Sequence, residues 1–147
     1  MTSRAAIVEF EGDKIYMTGK LLLTDTPNAN GITYTRECVE TALAKYNEKN
    51  VPIYGTLSNT KIGEFMPSVK LAEVATQTVS TTMTDEGLEA RVVILDTPRG
   101  KLLSNIIKQA PHTSLGFNTS CIGEVKEGIV TEATLIGFSV VEANKLV

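Results

Sequence analysis

Hydrophobic and polar residues alternate through most of this chain, and many of the hydrophobic positions are β-branched. A two-residue period of this kind is typical of strands with one buried face. It predicts strands over residues 5–10, 14–23, 51–57, 71–82, 88–95, 113–122, 129–135 and 137–142. The tripeptides 85–87 and 126–128 both end in glycine, which supplies the positive φ angle that a tight hairpin needs. The pattern therefore predicts two antiparallel hairpins within a mostly β protein.

Two segments carry a helical period instead. Residues 35–48 place apolar side chains three and four positions apart, behind a threonine that can cap the helix. Residues 98–109 follow a threonine cap, start with proline at the first helical position and end before Pro111. Strands interrupted by two helices predict an α+β domain built on an antiparallel sheet or a small barrel. No linker or repeat divides the chain, so we expect one domain over residues 1–147.

Charge and composition narrow the classes of partner. The chain has 14 basic and 17 acidic residues, and the basic residues are scattered. This distribution gives no electrostatic footprint for nucleic acid or for a membrane surface. No apolar run is long enough for a signal peptide or a membrane span, so we expect synthesis in a cytosol. Two cysteines, Cys38 and Cys121, and one histidine cannot form a structural zinc site; we expect buried free thiols and no cofactor.

Ser114 is the candidate nucleophile. It follows the proline that ends the second predicted helix, and Gly116, two residues later, would let backbone N–H groups approach a substrate. A serine attacks a carbonyl only when a positioned base takes its proton. The simpler interpretation is that Thr113 and Ser114 open a strand.

The base is the missing part of this site. His112 is the only histidine, and in an extended segment it would stand beside Ser114 on the same face rather than opposite to it. Lys61 or Lys70 could replace it if burial lowered the pKa of the lysine. The carboxylates lie in predicted turns and on exposed strand faces, and no phosphate-binding glycine motif is present.

Several segments in chain order resemble one protein family. Ser114 to Phe117 matches an S-[IL]-G-F motif, and residues 135–144 match a terminal strand of the form L-x-E-V-S-L-V-x-x-P-A-N. The remaining segments that carry the likeness are 28–34, 51–63, 86–93 and 96–102. Together they resemble the prohead proteases of tailed bacteriophages, whose fold is shared with the assemblin-type maturation proteases of herpesviruses.

This resemblance assigns a position to each member of a catalytic triad. Ser114 takes the place of the nucleophile, Asn59 takes that of the histidine base, and the acid falls at Gly137 or Ser139, depending on the alignment. An amide cannot act as the base, and neither glycine nor serine carries a carboxylate. The resemblance therefore implies a catalytically degenerate member of the family, with no catalytic residues expected.

Three functions are compatible with these residues. The first is a non-catalytic phage head protein for decoration or capsid assembly. It would bind the major capsid protein or scaffold through exposed strand edges, and self-association is a further option. It would be located in the virion after assembly in the host cytoplasm. The second is an active serine prohead protease that processes scaffold and capsid proteins through Ser114, with His112 or a lysine as base. The third is an internal core component of the prohead.

Overall fold

The computed structural model describes residues 4–57 and 69–146. Its strands are β1 (Ile7–Glu11), β2 (Lys14–Leu23), β3 (Thr33–Tyr34), β4 (Tyr54–Thr56), β5 (Val74–Met83), β6 (Gly87–Ile94), β7 (Leu115–Lys126) and β8 (Ile129–Glu142). Its α-helices are α1 (Arg36–Asn47) and α2 (Pro98–Gln109). Single turns of 3₁₀ helix precede β5 and follow β8, at Leu71–Glu73 and Ala143–Lys145. None of the helices described in these two ranges is long and apolar enough to span a membrane.

The eight strands found in residues 4–57 and 69–146 belong to one sheet. Their order is β1-β2-β6-β5-β4-β8-β7, and β3 lies in line with β4 along the same side of β8. Only the short pairings of β3 and β4 with β8 are parallel. The predicted α+β class with a mostly antiparallel sheet is confirmed, as are the β5–β6 and β7–β8 hairpins. A third hairpin, β1–β2, turns at Gly12, whose φ of 63° is the positive value that such a turn needs.

Both predicted helices are present, because their end signals are local. The Thr35 hydroxyl accepts the N–H of Cys38 at 3.1 Å, and the Thr97 hydroxyl accepts the N–H of Gly100 at 3.0 Å. Helix α1 packs on β8, and α2 packs on β5 and β6. The apolar side chains that the helices bury are Val39, Ala42, Tyr46, Leu103 and Ile107.

The prediction of two separate strands over residues 129–135 and 137–142 is wrong. Both segments belong to β8, which bulges at Ile136, because Ser120 pairs with Gly137 whereas Cys121 pairs with Leu135. A bulge adds one residue and shifts the in–out alternation, so the hydrophobic pattern breaks although the strand continues. Beyond the bulge, Phe138 is fully buried.

A second bulge helps to join the two ends of the sheet. The register between β2 and β6 skips Leu21. The carbonyl of Leu21 accepts hydrogen bonds from the guanidinium of Arg4 at 3.2 Å and from the hydroxyl of Thr119 at 2.7 Å. The backbone N–H of Ala6 also donates to the carbonyl of Leu115 at 2.7 Å. Strand β2 and the segment before β1 are thereby tied to β7, at the other end of the strand order.

Candidate functional site

Ser114 lies in the connection between α2 and β7. A turn follows the helix, closed by a hydrogen bond from the Thr113 N–H to the carbonyl of Ala110 at 3.0 Å. Ser114 is exposed, and its carbonyl accepts the N–H of Ala143 at 2.8 Å, which fixes its backbone beside the end of β8. The hydroxyl is thus carried by an ordered backbone at the surface of the sheet.

The candidate bases are not assembled around this hydroxyl among the described residues. His112 is exposed and belongs to the turn, so the extended geometry that would place it beside Ser114 does not apply. Lys70 is also exposed, and its ammonium lies 3.9 Å from the carboxylate of Glu73. Such a lysine lacks the burial that general-base chemistry requires. Asn59 and Lys61 lie outside the described residues.

Gly116 makes a close approach, but to its own chain. A Cβ atom at this position would lie 2.9 Å from the carbonyl oxygen of Arg4 and 2.6 Å from Cδ1 of Leu146. Glycine is therefore needed so that these two segments can pack against the start of β7. The space that sequence reasoning reserved for a substrate backbone is filled by residues from both ends of the described chain.

Arg4 is a residue that sequence reasoning missed. Its guanidinium donates to the carbonyls of Phe117 at 3.0 Å and Leu21 at 3.2 Å, so it bridges β7 and β2. Burial lowers the pKa of this guanidinium from its ordinary value, but an arginine stays charged in proteins. A charged residue close to the chain start gives no pattern that would distinguish it from an exposed one.

Gly137 has no room for the acid that the family alignment would place there. It is buried in β8, and a Cβ atom would lie 2.9 Å from the carbonyl oxygen of Tyr54 and 2.7 Å from Cγ2 of Val69. A carboxylate side chain is much larger than a methyl group. It would have to displace the backbone of β4, which pairs with β8 at the next residue.

The hydroxyl of Ser139 is directed to Thr56 and not to Ser114. Its hydroxyl lies 3.1 Å from the hydroxyl of the fully buried Thr56, with which it pairs across β4 and β8. On the other side it pairs with Asn118, four residues beyond Ser114 along β7. That offset corresponds to about 13 Å along the strand, which is too far for direct contact between the two serines.

Cys38 lies on α1, and Cys121 lies in the middle of β7. A cavity of about 360 Å³ is lined by Cys38, Thr41 and Lys45 of α1 and by residues 122–124, 126 and 131–134 of the hairpin. Burial raises the pKa of the Cys38 thiol and, together with the neighbouring Cys38, raises that of Cys121 to about 12. Both are free thiols, and a raised pKa disfavours the reactive thiolate. Cys38 is buried as predicted, whereas Cys121 is only partly buried.

No metal-binding arrangement is found in residues 4–57 and 69–146. No group of three or more histidine, cysteine, aspartate or glutamate side chains comes together there in a way that could hold an ion.

Comparison with known proteins gives a structural match and no match in sequence. No protein-family model matches the chain, and no curated protein sequence does so. The fold is similar to that of the bacteriophage T4 capsid assembly protease gp21, with a TM-score of 0.66 over 93% of this chain and 88% of that one. The two sequences are 19% identical over the match, so the likeness shows a shared prohead-protease-like fold. The family resemblance in the sequence motifs is confirmed at the level of fold.

Proposed function

We propose that this chain is a non-catalytic phage head protein that uses a prohead-protease-like fold to bind the major capsid protein. Its task would be decoration of the capsid or support of its assembly, and its location would be the virion. The match to a capsid assembly protease supports the phage-head context. Fold alone does not determine activity, so the argument against catalysis rests on the site.

One observation carries the proposal: none of the residues aligned with the base and the acid can do that chemistry. Asn59 is an amide in the sequence, the space at Gly137 is closed by Tyr54 and Val69, and the hydroxyl of Ser139 pairs with Thr56. Loss of a triad base or nucleophile removes most of the rate enhancement of a serine protease. Loss of the base together with loss of the acid leaves Ser114 as a remnant of the active site.

A second candidate is an active serine prohead protease that cleaves scaffold and capsid proteins. The observation in its favour is the exposure of Ser114 on an ordered backbone at the start of β7. It requires a base, and His112, in the adjacent turn, is the nearest one in sequence. Exposure alone does not activate a serine hydroxyl.

Particle composition and processing separate these candidates. We expect the purified chain to bind assembled capsids in co-sedimentation, to remain in mature particles, and to leave capsid and scaffold proteins uncleaved. The Ser114→Ala variant should bind and assemble as the parent does. Cleavage that the parent performs and the variant does not would establish the protease instead. Presence in proheads with loss from mature heads would identify an internal core component.

A further inference from the structure

Strand β1 presents an open backbone edge. Within the described part of the chain, β1 pairs only with β2, on one side. Ala6, just before β1, points its N–H to the other side, where the carbonyl of Leu115 accepts it. Backbone groups of an antiparallel strand alternate in direction from residue to residue, so Val8 and Phe10 also point outward. No described backbone group bonds to those two residues on that side.

The side of β1 that faces the core ends in an incompletely covered aromatic side chain. Val8 and Phe10 pair with Met17 and Ile15, both of which are buried in the core. Val8 packs against this cluster, whereas Phe10 remains 59% exposed. A further strand paired with β1 could place an apolar side chain beside Phe10. The sheet and its apolar face would then be wider by one strand.

The solvent-facing side of β1 is acidic beyond Ile7, which is 67% exposed. Glu9 and Glu11 follow on the same side, next to Asp13 in the hairpin turn. The carboxylate Oε1 of Glu11 lies 3.2 Å from Nη2 of Arg91. The same guanidinium stacks on Tyr16, with its Cζ atom 3.8 Å from the centroid of the ring. No basic group among the described residues lies within ion-pair distance of Glu9. A strand added at this edge would therefore gain most from a basic side chain opposite Glu9.

A second copy of this chain is a poor occupant of the edge. A symmetric antiparallel pairing centred on Glu9 would set this carboxylate directly opposite its counterpart. Like charges at directly opposed positions destabilise a strand pair. Charge complementarity thus favours a different protein over a second copy.

We infer that the outer edge of β1 binds an extended segment of another protein, in which basic residues alternate with apolar ones. The basic side chains lie opposite Glu9 and Glu11, the apolar ones cover Phe10, and backbone hydrogen bonds form with Val8 and Phe10. This is recognition by strand addition, in which backbone groups give affinity and alternate side chains give specificity. The inference rests on the proposed function only in naming the capsid as the source of the segment.

A pair of ten-residue peptides tests this assignment on the full chain. One peptide alternates lysine with valine, and the control alternates glutamate with valine. In amide NMR spectra we expect the lysine peptide to shift and protect the amides of Val8 and Phe10, with weaker binding at higher salt. Equal binding of both peptides, or shifts centred on another element, would overturn the inference. Dimerisation of the free protein through β1 would also overturn it.

Two variants report separately on charge and on backbone. Glu9→Lys should weaken binding of the lysine peptide about fivefold and strengthen that of the glutamate peptide. Glu124→Lys, on β7, changes the net charge equally and should leave both affinities unchanged. Val8→Pro removes one outward N–H that β2 does not use, and should abolish the protection of the Phe10 amide by the peptide. Unchanged lysine-peptide binding in both the Glu9 and the Val8 variants would contradict the edge assignment.

The Glu9→Lys variant also distinguishes this inference from the proposed function. Peptide binding at β1 by a chain that does not bind capsids would reject the proposed function and leave the edge assignment standing. Capsid binding that Glu9→Lys does not weaken would reject β1 as the contact surface and leave the proposed function standing.

Discussion

The two terminal strands of the sheet differ in how their outer edges are treated. The first residues of β7 are covered: Ala6 bonds to Leu115, Arg4 to Phe117, and Leu146 packs over Gly116. Among the residues that the structure describes, no strand pairs with the outer edge of β1, and this strand carries an exposed Phe10. An unpaired strand edge is a template for association, and proteins usually cover or charge it. Here the start of one edge is closed by the chain itself, while the other edge is left with a charged solvent face that selects its partner.

The largest expected difference between the edges concerns their aromatic residues. Phe117 is fully buried, with its ring centroid 4.9 Å from that of Phe138, whereas Phe10 is mostly exposed. Phe117→Ala should lower the free energy of unfolding by about 3–5 kcal/mol, because it removes buried apolar surface and leaves a cavity. Phe10→Ala should lower it by less than about 1 kcal/mol. Urea denaturation of the two variants measures this, and similar losses would show that β1 is covered in solution.

Removal of the Arg4 guanidinium should open the covered edge. Arg4→Ala loses two charge-assisted hydrogen bonds, which predicts a loss of about 2 kcal/mol and faster amide exchange at Ala6. Arg4→Lys keeps the charge but loses the planar guanidinium. Its free energy of unfolding should therefore lie between those of the parent and Arg4→Ala. Lys145→Ala, which removes only an exposed ion pair with Glu142, is the matched control and should change stability by less than about 0.5 kcal/mol. If Arg4→Ala behaves like this control, the bridge between β2 and β7 does not contribute to stability.

Thr119 tests the same closure with a smaller change. Thr119→Val keeps the shape of the side chain but removes its 2.7 Å hydrogen bond to the carbonyl of Leu21. We expect a loss of about 1 kcal/mol in the free energy of unfolding. Thr134→Val, at an exposed position of β8, should be close to neutral in the same measurement. Equal values for the two variants would mean that the Leu21 carbonyl gains nothing from Thr119.

Alkaline pH should lower the free energy of unfolding through Cys121, which lies on β7 beyond its covered start. The pKa of Cys121 is raised in the folded state to about 12, from an ordinary value of 9.0, first by burial and then by Cys38. The folded chain holds this proton more tightly, so its contribution to stability is complete below about pH 9 and is lost as the pH rises towards 12. The decline in the free energy of unfolding over this range should be less steep for Cys121→Ala than for the parent. Identical slopes would contradict the burial of this thiol.

Helices and hairpins were predictable because their signals are local. Thr35 and Thr97 cap the helices that follow them, and the glycine of residues 126–128 adopts a φ of 79° in the β7–β8 turn. The two-residue strand β3 was missed, because its pairing with β8 depends on contacts nearly 100 residues away. The bulge at Ile136 was read as a break, since hydrophobic alternation cannot separate a shift of phase from the end of a strand.

The residue types at the candidate site can be read from the sequence, but their surroundings cannot. The family resemblance implies that the base and acid positions, Asn59 and Gly137 or Ser139, lack ionisable groups. It does not indicate that Arg4 and Leu146 occupy the space beside Gly116, or that Tyr54 closes the space at Gly137. Those contacts join segments far apart in the chain, and single-sequence periodicity carries no information about them.

The shared carbonyl of Leu21 has a consequence for folding kinetics. The bonds that join it to Thr119, and Arg4 to Phe117, connect residues 98 and 113 positions apart in the chain. Contacts of such large sequence separation carry a high loop-closure entropy, so they form late, after the hairpins and the helices. Strengthening these contacts would consequently slow unfolding far more than it would speed folding. The junction between β2 and β7 thus governs the lifetime of the fold more than the rate at which it is reached.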